Sequence, residues 1–556
     1  MSLRHFAFAA TLALGACATQ PVRVAAPTGP LDVQILAIND FHGNLARSAD
    51  PVRFDLGQGQ SGSARAGGVA NLGEEIGNLR RDHKYSITVA AGDLVGASPL
   101  TSAYFLDEPT IDAMNMIGLS LASVGNHEFD KGSAELLRKQ EGGCENYTSL
   151  TPCRLEPFKG ARFEYLAANV VKADGHTLFP ATAIRKFGPI TIGFIGMTLK
   201  ETGTLVTPTG VAGLRFTDEA DTANALVPVL QAEGADAIVL LIHQGGKVPD
   251  LYHVQDCDGL SGDILPILAK LSPAITTVVS GHTHNAYVCE IDAGGTKRLL
   301  TSAGKYGYFV SDLRLDFDPA THRLLAQAAR NVPVIGDSAG DPAIAALVKR
   351  YSDAAAPAAA RVVGHLAGVL SSGSQDDRES PAGDLIADAQ LAATKGPAHG
   401  NADLSFINTG GVRTDLVPAA DGSVTYAQIF AMEPFGNTLI VKSFTGSQLK
   451  AILENQFTAD GKLRPSALVP SANFAFAYDL KRPAGDRVVR MILDGRPIDP
   501  SATYRVTVNN FLASGGDDYP IFAQGTDAFD AGLDLDALEA WLATNPPIPT
   551  GGRVTG

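Results

Sequence analysis

Ser120-Leu121-Ala122-Ser123-Val124-Gly125-Asn126-His127-Glu128-Phe129-Asp130 sets the reading of the whole chain: a short apolar run, strand-like in length and composition, passes directly into a turn carrying an amide, an imidazole and two carboxyls. The same arrangement recurs. Residues 33–38 run into Asn39-Asp40-Phe41-His42, residues 86–91 into Gly92-Asp93, residues 237–242 into His243, and residues 275–280 into Gly281-His282-Thr283-His284. A further apolar run, 190–197, ends without a ligand-type residue and reads as scaffold. Short continuous apolar runs are expected of strands buried on both faces. In α/β sheets the loops at the carboxyl ends of such strands converge on one crevice. Polar loops so placed predict an α/β domain with a single site built from Asp40, His42, Asp93, Asn126, His127, His243, His282 and His284.

These residue types suit phosphate-ester hydrolysis by two metal ions, which needs a nucleophile at neutral pH and neutralisation of the phosphoryl oxygens. Asp93, alone on a glycine-led turn, is expected to bridge the metals. Asp40 and His42 lie one residue apart on the same side of a strand end and suit one metal, completed by His284; Asn126, His243 and His282 suit the other. His127 reads differently. Ligation by Asn126 aims the next side chain into substrate space, and Asp130 is near enough to hold its imidazole and raise its pKa for protonating a leaving oxygen. Nitrogen and oxygen donors with open positions suit Zn, Mn, Co, Fe or Mg. The remaining histidines, including His83, His176, His253 and His399, belong to no such pattern.

At 556 residues the chain is too long for one ordinary core. Residues 1–17 read as a signal peptide, with an apolar stretch too short to span a bilayer and a Leu14-Gly15-Ala16-Cys17 ending that resembles a bacterial lipobox. Residues 18–30 then form a tether, 31–335 a catalytic domain, 336–363 a helical linker and 364–556 a second domain. Helices are expected near 68–81, 218–233 and 384–393, and strands at 402–407 and 505–508. The expected location is the periplasm or cell envelope, with membrane contact only through a lipid on Cys17. Four further cysteines, Cys144, Cys153, Cys257 and Cys289, favour two disulfides in an exported chain; three pairings are open. A net charge of −15 disfavours a nucleic-acid polymer as partner, while metal ions in a small cleft still permit a small anionic substrate.

In the second domain, Asn408-Thr409-Gly410-Gly411-Val412-Arg413 sets a glycine pair between an amide and a guanidinium. The loops at Pro434-Phe435-Gly436-Asn437 and at 510–517 each present a phenylalanine beside glycine and polar groups. Two such rings can sandwich a nucleobase without demanding one base.

With Asp-x-His, Gly-Asp, Gly-Asn-His-Glu-Phe-Asp and Gly-His-Thr-His in this order, the chain resembles the calcineurin-like metallophosphoesterases, and among them the exported 5′-nucleotidase and UDP-sugar hydrolase family. The resemblance implies a four-layer α/β/β/α catalytic sandwich followed by an α/β nucleotide-binding domain. It implies metal ligands Asp40, His42, Asp93, Asn126, His243, His282 and His284, with His127 and Asp130 as the catalytic pair. It further implies a nucleotide pocket in which Phe435 and Phe511 stack the base, Asp517 takes the ribose hydroxyls, and Asn408, Arg413 and Arg378 contact substrate. Two positions depart from the family pattern. Pro381 and Asp384 follow Arg378 where an Asn-containing turn is usual, and His284 stands where many 5′-nucleotidases carry an amide. A histidine there is similar to the cyclic-nucleotide phosphodiesterase and sulfur-oxidation branches. The alternatives to a 5′-nucleotidase are therefore a 2′,3′-cyclic-nucleotide phosphodiesterase with 3′-nucleotidase activity, or a surface protein that binds nucleotides without turnover.

Overall fold

A computed structural model describes residues 29–556 except 58–59, 149, 250–251, 337, 374–378, 459–460 and 465. The leader, Cys17, the tether up to residue 28 and Arg378 lie outside the described residues.

The apolar runs form two six-stranded sheets. In the first the order is Leu324–Pro333, Phe309–Phe317, Leu31–Ile38, Ser86–Ala91, Leu119–Ser123 and Glu164–Leu166. The last four run parallel, and Phe309–Phe317 joins them antiparallel. In the second the order is Ala286–Ala293, Thr296–Ala303, Ile275–Ser280, Ala237–His243, Ile190–Thr198 and Thr182–Phe187. Its four inner strands are parallel and both edges antiparallel.

Alternation along the strands explains the layers. Val33, Ile35, Ala37, Val89, Ala91 and Leu121 point inward and share one core with Ile192, Phe194, Val239, Leu241 and Val279 of the facing sheet. Leu36, Ile38, Ala90 and Ala122 point outward, beneath Leu72, Ile76, Ile111, Met114 and Leu136 of the helices Val69–Arg80, Glu108–Ile117 and Gly132–Glu141. On the far side Ile195, Met197, Ile238, Leu240 and Ile242 pack under the helices Glu219–Ala232 and Ile264–Lys270. The result is the expected four-layer sandwich. Both faces of each central strand are covered, which is why these strands read as continuous apolar runs.

The stretch expected as a linker contains the helix Pro342–Ala359, followed by the strand Val362–His365. Asp341 caps the helix, accepting from the amides of Ala343 and Ile344, and Pro342 starts it. This helix is no free spacer. Ile344 joins the outer core of the first sandwich, and Tyr351 and Ala355 close over Phe105.

The second unit centres on a five-stranded sheet in the order Leu468–Pro470, Leu404–Asn408, Thr503–Asn509, Thr438–Thr445 and Thr526–Leu533. The helices Pro381–Thr394 and Asp534–Leu542 cover one face, through Leu385, Ile386, Leu535 and Leu538. The helix Gly446–Glu454 and the strands Phe474–Tyr478 and Val488–Leu493 cover the other. The disulfides are Cys144–Cys153 and Cys257–Cys289. No helix among the described residues is long and apolar enough to cross a membrane.

Candidate metal and nucleotide site

The strand-end residues do meet. Ligand atoms of Asp40, His42 and His284 lie within 4.8 Å of one another, as do those of Asp93, His243 and His282, and those of His42, Asp93 and His127. Asp93 is the residue common to the two sides, the place expected for a bridging carboxylate: its Oδ2 is 2.9 Å from His243 Nε2 and 3.7 Å from His42 Nε2. His284 Nε2 lies 3.5 Å from Asp40 Oδ1 and 3.0 Å from His42 Nε2.

The turns holding these groups are strained and pinned. Asp40, His42, Asp93, His282 and His284 all have φ between 47° and 71°, a left-handed backbone that costs free energy for residues other than glycine. Hydrogen bonds between turns maintain it. The amides of Asp40 and His42 donate to the carbonyls of Gly92 and Asp93, and the His282 amide donates to Asp40 Oδ2 at 2.9 Å. The His127 amide donates to Asp93 Oδ1 at 2.9 Å. Gly125 is required by close approach, because a Cβ there would sit 2.1 Å from Asp93 Oδ1.

The donor set fits divalent cations. His42 Nδ1 donates to the Gly96 carbonyl at 2.9 Å and His243 Nδ1 to the Ala91 carbonyl at 2.7 Å, so both Nε2 atoms are turned into the cluster. There His42 Nε2 faces His284 Nε2 at 3.0 Å and His243 Nε2 faces the Asp93 carboxylate at 2.9 Å. Burial opposes charge on His243, but Asp93 outweighs it and lifts its pKa to about 10, so a bound cation would take the place of that proton. Asn126 Oδ1 is buried and accepts no hydrogen bond, as a metal-directed amide oxygen would be. Burial pushes the pKa of His42 and of His282 down to about 3 and that of His284 well below its usual value, leaving neutral imidazoles. Burial also opposes charge on Asp93, yet His243, His127 and His42 outweigh it and hold that carboxyl well below the usual range.

His127 lies at the edge of the cluster. Its Nδ1 is 2.9 Å from Asp130 Oδ2, and its ring stacks on Phe435 with centroids 6.0 Å apart and an interplanar angle of 18°. Burial lowers its pKa, but Asp130 and Asp93 more than compensate, for a net rise.

Beside the cluster a cavity of about 460 Å³ opens between the two units. Asn126, His127, Asp130, Thr207, Lys247 and His282 form one wall. Asn408, Arg413, Phe435, Phe511 and Asp517 line the other, so every described residue expected to contact substrate reaches one space. Asn408 Nδ2 donates to Asp517 Oδ2 at 2.7 Å, and burial pushes Asp517 up to about 6. The Phe511 ring packs against Gly516, where a Cβ would come within 2.2 Å of it. The Arg413 guanidinium sits 5.9 Å from the Phe435 centroid.

Several contributing residues carry no role that the sequence assigned. Glu128 is buried and accepts from the amides of Asp93, Leu94 and Gly125 at 2.9, 2.8 and 2.6 Å, shaping the turn that carries Asp93. Asn39 donates to Asp40 Oδ2 and to the Gly304 carbonyl and accepts from the Ala303 amide, clamping the first sheet to the second. Lys131 Nζ donates to the Phe435 carbonyl and the Asp517 amide to the Thr204 carbonyl, two hydrogen bonds between the units. The sequence signal for Glu128 was its place inside the Gly-Asn-His-Glu turn; Lys131 and Thr204 had none.

Imidazoles and carboxylates at the carboxyl ends of a two-sheet sandwich, open to an aromatic cleft, define a metal-dependent phosphohydrolase. The calcineurin-like phosphoesterase model matches residues 33–286, and the model for the 5′-nucleotidase C-terminal domain matches residues 362–524. The chain belongs to the 5′-nucleotidase family of calcineurin-like phosphoesterases. It is 28% identical over 526 residues to endonuclease YhcR of Bacillus subtilis, covering 94% of this chain but 40% of that protein. It is 25% identical to the 5′-nucleotidase of Homo sapiens, over 93% of this chain and 89% of that one. The crystal structure of a 5′-nucleotidase precursor from Thermus thermophilus superposes with a TM-score of 0.74 at 26% identity, covering 94% of this chain and 99% of that one.

Proposed function

We propose that this protein is an exported nucleotidase that removes phosphate from nucleoside 5′-monophosphates with two divalent metal ions. Asp40, His42 and His284 would hold one metal and Asn126, His243 and His282 the other, with Asp93 offered to both. When bound, the metals supply Lewis acidity toward the phosphoryl oxygens and the attacking water. The chain's own residues do the rest. Asp130 holds His127 through Nδ1, so that Nε2 is the atom that delivers a proton to the departing ribose oxygen. Phe435 and Phe511 carry the base, Asp517 and Asn408 the ribose, and Arg413 the phosphate side of the cleft. Residues 31–335 act as the catalytic domain, 336–363 as the helical linker and 364–556 as the substrate domain. Export rests on the leader alone, with Cys17 as the lipid-bearing residue.

The observation that carries this reading is the continuity of the Asp93 cluster with an aromatic cleft through His127, which lies within ligand distance of Asp93 and stacks on Phe435. Phosphate release from AMP, UMP and UDP-glucose, with metals added singly to stripped protein, tests it. Absence of metal-dependent release from all three overturns it. A second reading, a 2′,3′-cyclic-nucleotide phosphodiesterase, is favoured by His284 facing His42 Nε2 at 3.0 Å where many 5′-nucleotidases have an amide. Higher turnover on 2′,3′-cyclic AMP than on AMP would select it.

A further inference from the structure

His253 belongs to no sequence motif, yet it sits in a second constellation of ligand-type groups. Asp55, His253 and Asp256 each offer a ligand atom, all within 4.8 Å of one another. Asp55 lies on the strand Val52–Gly57 and His253 on the strand Tyr252–His253, and the two are register partners in a parallel pair. His253 Nδ1 is 2.6 Å from Asp256 Oδ1 and 3.8 Å from Asp55 Oδ2.

The contacts are not those of an ordinary hydrogen-bonded ion pair. At 2.6 Å an imidazole N–H and a carboxylate oxygen should be aligned, but His253 Nδ1 and Nε2 and Asp256 Oδ1 are all buried without a hydrogen bond. His253 is 9% exposed, so water is a poor substitute. Buried polar atoms left in this state are costly. One cation among the three groups would satisfy a His253 ring nitrogen and Asp256 Oδ1 together, with Asp55 as a third donor.

The frame around them is fixed. The Val254 amide donates to the Asp55 carbonyl, Asn331 Nδ2 to the His253 carbonyl, and the Val288 amide to the Asp256 carbonyl. Cys257, next to Asp256, is tied by its disulfide to Cys289.

We propose that Asp55, His253 and Asp256 form a further divalent-cation site, separate from the Asp93 cluster. One imidazole nitrogen and two carboxylate oxygens suit a transition-metal dication of the Zn²⁺ or Mn²⁺ kind, whereas Ca²⁺ and Mg²⁺ prefer oxygen alone. The ion is structural. It fastens the hairpin formed by Val52–Gly57 and Gln60–Ala64 to the segment that the Cys257–Cys289 disulfide joins to the strand Ala286–Ala293, just beyond His284.

Full-length protein equilibrated with Zn²⁺ or Mn²⁺ and then freed of excess ion should hold about one equivalent more metal than Asp256→Asn. The phosphate-releasing activity should be the same in both. Added Zn²⁺ or Mn²⁺ should raise the unfolding temperature of the wild type more than that of the variant. Equal metal content in the two proteins overturns the proposal. If Asp256→Asn does not fold, anomalous diffraction from wild-type crystals soaked in Mn²⁺ or Zn²⁺ decides: a peak bounded by Asp55, His253 and Asp256 supports the site, and its absence refutes it.

Discussion

The metal cluster and the nucleotide cleft meet at Asn126, His127 and His282 and differ in almost everything else. The cluster is built within one sandwich, from turns whose strained backbones are hydrogen-bonded to each other and whose carboxylates, Asp40 and Asp93, are essentially inaccessible. The cleft is assembled from two units. Its Phe435, Phe511, Arg413 and Asp517 are only partly buried, and the hydrogen bonds crossing beside it include Lys131 to Phe435 and Asp517 to Thr204. Charge that must be placed to a fraction of an ångström sits in the prebuilt region, because reorganising it during reaction would waste its electrostatic effect. Recognition of a flat base tolerates a looser frame, since stacking depends weakly on exact position and base identity. Substitutions in the first region should therefore abolish chemistry, and those in the second should shift affinity.

Asp93→Asn should have the largest effect. It removes the carboxylate shared by both sides of the cluster, so metal content and turnover should fall together, by more than the roughly 10²–10⁴-fold that a proton donor contributes. Elemental analysis beside phosphate-release rates would check it, and a variant retaining full metal would break the assignment. His127→Ala comes next. It should lower kcat by about 10²–10⁴-fold while metal content holds, the split that separates a proton donor from a ligand. Loss of metal in this variant would move His127 into the first coordination set.

Phe511→Ala should raise KM for nucleotides by roughly 5- to 160-fold, equivalent to about 1–3 kcal/mol of stacking, and leave hydrolysis of a simple aryl phosphate unchanged. An equal loss on both substrates would show that the ring supports the fold instead of the base.

The smallest effect concerns the seam between the units. Burial pushes Asp534 from 3.8 up to about 7, against the opposing pull of the Leu535 amide and Lys131, and burial beside Asp534 pushes Glu433 well above its usual value. The folded protein thus keeps a proton on Asp534 that the unfolded chain releases above 3.8. The stabilisation is full below that value and is lost as pH rises through about 7. Unfolding temperatures should decline from pH 5 to pH 8, and Asp534→Asn should flatten that decline.

Much of the first region was legible because its signals are local. An apolar run of strand length ending in Asp, Asn or His announces both a buried strand and a site at its carboxyl end, and strand ends were displaced by only a residue or two, as at Leu119–Ser123. The second region was legible as loops but not as a surface. Phe435 and Phe511 both line the cavity, yet the ring contact of Phe435 is with His127, a residue 308 positions away.

The amino-acid sequence by itself determined the strands, the order of the ligand-bearing turns and the class of chemistry, because hydrophobic alternation and residue type act over a few positions. Tertiary structure alone decided the rest. It turned the Nε2 atoms of His42 and His243 inward by giving their Nδ1 atoms distant carbonyls. It made Glu128 a support for Asp93 and placed Asp55 beside His253. It chose one disulfide pairing from three by bringing Cα atoms to 5.6 Å for Cys144–Cys153 and 5.5 Å for Cys257–Cys289. Each of these depends on where separate segments meet in space, and no local pattern of residue types carries that information.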